Sequence, residues 1–358
     1  MPECLYLGRR ASFIENEYLR VVVLHEGGHV AAVHDKATDL NPLWIPPWTS
    51  CEPSAYTPAT HPEFGSGTDA RLLAGIMGHN VCLDLFGGPS DAEAAAGLTA
   101  HGEAPVQRYV FNESGSTLTA EAQLPEARLT FKRVIALRDR AISMSETVEN
   151  LSACDRPIGW TQHVTLGPPF LQPGVTQFRA SATRSKAFEH PFGAHDYLKA
   201  GAEFDWPSAP ALDGGRVDLQ VCHAADASSA YTAHLMDKRC EDAFFVAFSP
   251  TSRLAFGYVW KRSDFPWLGI WEENHSRAGS PWNGRVLTRG MEFGVSPMPE
   301  TRREMIDRGT MFGTTTFRWI AARSRVEARY WAILKPADAI PDTLEWPDQN
   351  LLVRIAAQ

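Results

Sequence analysis

Short runs of alternating apolar and polar residues, separated by turn residues, recur along almost the whole chain and leave little room for helices. Leu19 to Leu24 and Val30 to His34 flank Gly27-Gly28, and Val106 to Asn112 and Thr117 to Ala122 flank Glu113-Ser114-Gly115, the spacing of hairpins. Leu129 to Leu137 and Ala141 to Asn150 follow, joined by Arg138-Asp139-Arg140. In the second of these, Ile142, Met144 and Val148 share one face while Ser143, Ser145 and Thr147 share the other, the period of a half-buried strand. Further strands are expected at Val217 to His223, Ala243 to Phe248, Leu254 to Trp260, Trp267 to Trp271, Phe312 to Ala321 and Ala328 to Leu334. Helical signal is confined to two short stretches. One opens on the capping box Ser90-Asp91-Ala92-Glu93 and closes near Gly97; the other spans Pro299 to Arg308 before Gly309. Helices this short cannot form a second layer, so the pattern predicts an all-β fold, a large antiparallel β-sandwich. No repeat, low-complexity segment or linker interrupts residues 1–358, which reads as one domain with two long Pro-rich loops, Asn41 to Pro62 and Pro191 to Asp213.

A hydrophobic fraction of 44% against 21% charged residues suits a globular protein with a sizeable core. The net charge of −8 argues against a nucleic-acid partner, and no apolar run approaches membrane-span length. The start, Met1 to Arg10, lacks the basic-then-apolar order of a signal peptide. The six cysteines, without CxxC, read as free thiols of a cytoplasmic protein rather than a zinc site. Eleven Trp, eighteen Phe and eight Tyr supply flat rings that either stack on sugar faces or simply pack.

Three segments carry candidate chemistry. In Gly159 to Phe170 an alternating run bearing His163 is stopped by Gly167-Pro168-Pro169. Proline cannot donate to a sheet ladder, so His163 lies close to a strand end, where an imidazole is either an acid/base group or an ordinary sheet histidine. His101-Gly102 follows the first short helix, in a loop that glycine opens to close approach. On a strand, Glu292 points away from its apolar neighbours Met291 and Phe293, and an apolar setting would raise its pKa. Trp271 and Glu272 either line a sugar site or end a strand. There is no GxSxG elbow and no GxxxxGK[ST] loop, and His25, His29 and His34 are poorly arranged for a metal.

The order of these motifs resembles the aldose 1-epimerase (galactose mutarotase-like) superfamily over roughly residues 15 to 335. The resemblance rests on the Gly27-Gly28 turn before Val30 to His34, on His101-Gly102, His163 and Glu292, and on the closing Gly313 to Trp319. It implies the galactose mutarotase-like supersandwich and interconversion of sugar anomers. Glu292 would act as base on the anomeric hydroxyl, His163 as acid toward the ring oxygen, and His101 as a partner for the ring or a hydroxyl. No cofactor or metal is implied, and the partner is a small-molecule carbohydrate. Arg71 stands where members carry an Asn-Arg pair. Val164 to Pro169 and Phe293 also depart from the family's pattern, so substrate contacts are expected to differ. Two other readings remain open at this stage. One is a non-catalytic carbohydrate-binding protein. The other is a glycan lyase or hydrolase on the same fold, with Glu272, Glu273 or Asp264 as its second acid.

Overall fold

The computed structural model describes residues 4–347. Its two main sheets pack face to face. The twelve-stranded sheet runs in space through Cys4–Tyr6, Arg9–Glu15, Leu19–Leu24, Val30–Asp35, His79–Asp84, Arg156–Leu166, Leu287–Gly294, Trp267–Asn274, Ser228–Met236, Ala182–Ala187 and Glu203–Asp205. Arg318–Ile320 pairs beside it with the start of Arg156–Leu166. The eight-stranded sheet runs through Gln177–Ala180, Asp242–Ser249, Leu254–Lys261, Arg325–Pro336, Ala141–Asn150, Leu129–Arg138, Thr117–Leu124 and Val110–Ser114. The architecture is the antiparallel β-sandwich that the alternation predicts.

Side chains alternate between the two faces of each strand, and that periodicity sorts the central residues. Trp160, Val164, Met291 and Phe293 enter the core between the sheets, where they meet Ile135, Met144, Phe245, Tyr258 and Tyr330. Thr161, His163 and Glu292 are thereby turned to the other face of the large sheet. Loops cover that face and bury a second apolar cluster that includes Trp44, Leu72, Leu73, Phe86, Tyr231, Trp271 and Trp282.

A polar network crosses the main core directly beneath this region. The Glu146 carboxylate accepts from Arg133 Nε at 2.7 Å, Trp160 Nε1 at 3.0 Å and Gln162 Nε2 at 2.6 Å, and the Tyr330 hydroxyl lies 2.6 Å away. Gln162 Oε1 accepts from Arg133 at 3.1 Å and bonds His79 Nε2 at 3.0 Å. Arg133 also donates to the Gly28 carbonyl at 3.1 Å. Arg133, Glu146 and Tyr330 belong to one sheet and His79, Trp160 and Gln162 to the other, so the network ties the layers together.

Several boundaries differ from the sequence expectation. Val217 to His223 forms only the short strand Arg216–Asp218 followed by a turn, and Phe312 to Ala321 breaks into Thr314–Thr315 and Arg318–Ile320. The segment from Val106 begins as a helical turn, Ala104–Val106, and its strand starts only at Val110. His79–Asp84 and Ser228–Met236 give no alternating signal because every residue in them is buried. The expected capping box of Ser90 with Glu93 forms on helix Asp91–Ala95, and helix Arg302–Arg308 opens on a second one, Thr301 with Glu304. A third helix, Ala70–Gly75, has no comparable sequence signal.

Removing one member of a buried ion pair strands the other's charge, which typically costs about 3–5 kcal/mol. Glu146→Leu should therefore lower unfolding free energy by about that amount in urea denaturation, and the double variant Arg133→Met/Glu146→Leu should recover most of it. A single variant with near wild-type stability would show that the network does not hold the layers.

Candidate active site

His163 and Glu292 sit opposite each other across two hydrogen-bonded antiparallel strands, Arg156–Leu166 and Leu287–Gly294. That register places their side chains on one face, with His163 Nε2 3.1 Å from Glu292 Oε1. A side chain at Gly290 would collide with the same carboxylate, since a Cβ there would lie 2.4 Å from Oε1. The glycine two positions before the acid thus leaves the space its carboxylate occupies. On its other ring nitrogen, His163 bonds the Thr165 hydroxyl at 3.0 Å, which fixes the ring's rotation.

His101 arrives from a loop. Its backbone adopts φ 65°, a left-handed conformation uncommon for a non-glycine residue. Backbone bonds to Gly87 and Leu83, both 3.0 Å, hold it there. Gly102 follows because its Cα presses on the neighbouring strand; a Cβ would stand 2.2 Å from the Leu83 carbonyl oxygen. The Phe86 carbonyl takes a 2.6 Å bond from His101 Nδ1. A carbonyl only accepts, so the proton is on Nδ1 and Nε2 keeps its lone pair. The His101 and His163 rings lie 5.1 Å apart.

These three residues meet in a cavity of about 390 Å³. Six aromatic side chains contribute to its wall: Phe86, Phe188, Phe192, Tyr231, Trp271 and Trp282. The volume lies in the range of small-molecule sites. The Tyr231 hydroxyl is turned away and bonds the Pro297 carbonyl at 2.9 Å. Asp69 and Arg277 add opposite charges to the lining.

Burial sets the protonation of the floor. Glu292 is pushed from 4.5 up to about 8 by loss of solvent. Burial also drives His163 well below the usual imidazole value, with His101 adding to the effect, and burial lowers His101 itself. Near neutral pH the Glu292–His163 contact is therefore a hydrogen bond between a carboxylic acid and a neutral imidazole, with one proton between them.

Of the residues singled out from sequence, His101, His163, Glu292 and Trp271 line this cavity, while Arg71 and Glu272 do not. Adjacent strand residues face opposite ways, so Trp271 and Glu272 cannot share a cavity. Glu272 instead bonds the Tyr197 hydroxyl and pairs with Arg289 at 3.2 Å. Arg71 turns off the helix toward the Pro53 and Val106 carbonyls, 3.3 and 3.4 Å away, while Asp69, Leu72, Leu73 and Ile76 from the same turns face the cavity. Glu273 and Asp264 do not line it either. The sequence reading missed Arg277 and Trp282, which lie in the connection from Asn274 to Leu287. Adjacent antiparallel strands need only about 2–5 linking residues, so the length of that connection was the available signal. Pro191 and Phe192 open the Pro-rich loop Pro191 to Asp213, and Phe188 lies just before it.

No family model and no curated protein sequence matches the chain. Solved structures resemble it over nearly its whole length. A galactose mutarotase-like protein from Clostridium acetobutylicum aligns with a TM-score of 0.63 at 13% identity, over 93% of this chain and 97% of that one. A galactose mutarotase related enzyme from Lactobacillus acidophilus gives 0.58 at 13% identity, over 92% and 99%. A galactose mutarotase-like protein from Lactobacillus casei gives 0.56 at 16% identity, over 91% and 100%. At these identities the likeness is one of fold, and the chain has the galactose mutarotase-like fold.

Proposed function

We propose that the protein is an aldose 1-epimerase-like enzyme that interconverts the anomers of a sugar or sugar derivative by acid/base catalysis. The observation that carries this reading is the His163–Glu292 pair, 3.1 Å apart on the floor of a cavity of sugar size. In a cyclic hemiacetal the hydroxyl oxygen and the ring oxygen hang on one carbon. Because those oxygens are neighbours, a base for the first and an acid for the second can stand side by side, as these two groups do.

In the acting tautomer Glu292 is a carboxylate and His163 an imidazolium. Glu292 takes the proton from the C1 hydroxyl, the bond from C1 to the ring oxygen breaks, and that oxygen takes the proton from His163. The aldehyde rotates about C1–C2 and closes from its other face, with the proton transfers reversed. The pair holds one proton before and after ring opening, so the buried site gains no net charge in either direction. His101 Nε2, an acceptor, receives a neighbouring sugar hydroxyl. The aromatic wall stacks on the C–H faces of the ring. A hydrolase would need a second carboxylic acid near Glu292; Glu272, Glu273 and Asp264 all lie outside the cavity lining, whose other carboxylate is Asp69, at the start of the helix Ala70–Gly75.

General acid–base groups typically contribute about 10²–10⁴-fold in rate. Anomer exchange followed by NMR over a panel of aldoses should reveal catalysis by the wild type, and Glu292→Gln should lower its rate by about that factor. An unchanged rate in this variant would remove Glu292 from the mechanism.

The exchange rate should follow a bell-shaped pH profile. Its alkaline limb falls as pH rises through about 8, where the shared proton leaves Glu292. Its acid limb lies below 6.5, where a second proton fills the base, because burial lowers His163. A rate that keeps rising above pH 9 would contradict a one-proton pair.

The same ionisation reports on stability. A folded-state pKa raised from 4.5 to about 8 gives stability that is full below 4.5 and lost as pH rises through 8. Glu292→Gln abolishes that loss, so the variant should melt above the wild type at pH 9 and close to it at pH 4.

A further inference from the structure

Arg277 is the cavity's cationic group, and its surroundings leave its charge only partly used. Its Nε lies 3.3 Å from Glu273 Oε2. Glu273 is itself fixed by the backbone N–H groups of Ser276 and Arg277, at 2.8 and 2.9 Å. The guanidinium carbon sits 4.6 Å from the Trp282 ring centre and 5.8 Å from that of Trp271. Held at Nε and stacked on one face, the group keeps its two terminal nitrogens, which have no hydrogen-bond partner among the described residues. Partial burial pulls its pKa below the ordinary arginine value, with Glu273 and Asp69 opposing the shift, and the side chain stays 35% exposed.

A second unused donor adjoins it. Trp271 Nε1 is buried without a hydrogen-bond partner, in a side chain that lines the cavity and is only 7% exposed. Trp271 also bridges the cavity, since its ring lies 5.8 Å from that of His163. The acid/base pair and the guanidinium thus flank one tryptophan. A fork of two N–H groups matches the two oxygens of an oxyacid in a way that a single hydroxyl does not.

We infer that the site takes an acidic sugar, whose anionic oxyacid group is received by the Arg277 fork while its anomeric carbon meets the His163–Glu292 pair. The inference rests on the catalytic reading above for the position of the anomeric carbon, and adds the substrate class. Glu273 is the positioning residue, because it holds Nε and leaves the end of the guanidinium free. Asp69 is the opposing charge in the lining; it is exposed, so solvent screens it. Carboxylate and phosphate share this chemistry and differ in size and charge, which the choice of ligands separates.

The test is calorimetric titration of the full chain with glucose, glucuronate and glucose 6-phosphate, repeated in Glu292→Gln, Arg277→Met and Arg277→Lys. Hydrogen bonds to a charged partner correspond to about 10- to 100-fold in affinity. At least one acidic sugar should bind more tightly than glucose by that factor, and the stronger of the two identifies the oxyacid. The preference should vanish in Arg277→Met and survive in part in Arg277→Lys, which keeps the charge without the fork. Equal binding of all three sugars, an equal loss for neutral and acidic sugars in Arg277→Met, or binding of none overturns the inference. Because binding is read separately from turnover, acid-selective binding in Glu292→Gln without anomer exchange by the wild type would sink the catalytic reading and leave this one standing.

Discussion

The carboxylate of Glu146 is the point on which the two sheets of this protein agree. Its oxygens are occupied by Arg133 and Tyr330 from its own layer and by Trp160 and Gln162 from the facing one. Taking a carboxylate and a guanidinium out of water is expensive, and only a complete set of partners makes it tolerable. The requirement is geometric. Every donor has to arrive together, which admits one register of one sheet on the other. Trp160 and Gln162 occupy alternate positions on the strand that carries His163, so the network that fixes the core also fixes the strand from below.

Facing the other way, the same strand presents a site governed by the reverse condition. Glu146 is buried with its partners complete, whereas Glu292 is buried with His163 as its one ion-pair or hydrogen-bond partner among the described residues and is pushed to about 8. Desolvation drives acid and imidazole toward their neutral forms, and contact between them leaves one proton to share. A pair in this state gives and takes a proton without creating net charge in an apolar cavity. Gly290 and Gly102 contribute by absence: one leaves room for the carboxylate, the other lets the His101 loop press against the sheet.

The alternation along Ala141 to Asn150 made the strand class legible, and the isolation of Glu292 between Met291 and Phe293 made its facing legible. His79–Asp84 and Ser228–Met236 stayed hidden because strands buried on both faces lose the alternation by which strands are recognised. His101, His163 and Glu292, which line the cavity, were singled out by residue type together with the resemblance of their order to a known family, while Arg71 and Glu272 could not be excluded. A helix turn and a strand pleat decide which neighbour faces a cavity, and a one-residue difference reverses the answer. Arg277 and Trp282 were invisible to pattern, since a loop has no period from which direction can be read.

What the sequence determined by itself is local: the period of the strands, the capping box at Ser90, the end of a strand before Pro168-Pro169, and a supply of histidines and one apolar-flanked glutamate. Only the tertiary structure decided that His163 pairs across the ladder with Glu292, that His101 is brought within a ring's reach of them, and that an arginine from a long connection closes the same cavity. Local pattern follows from chemistry within a few residues. Convergence depends on sheet register, which is settled by hydrogen-bond ladders and a buried network linking segments far apart in the chain.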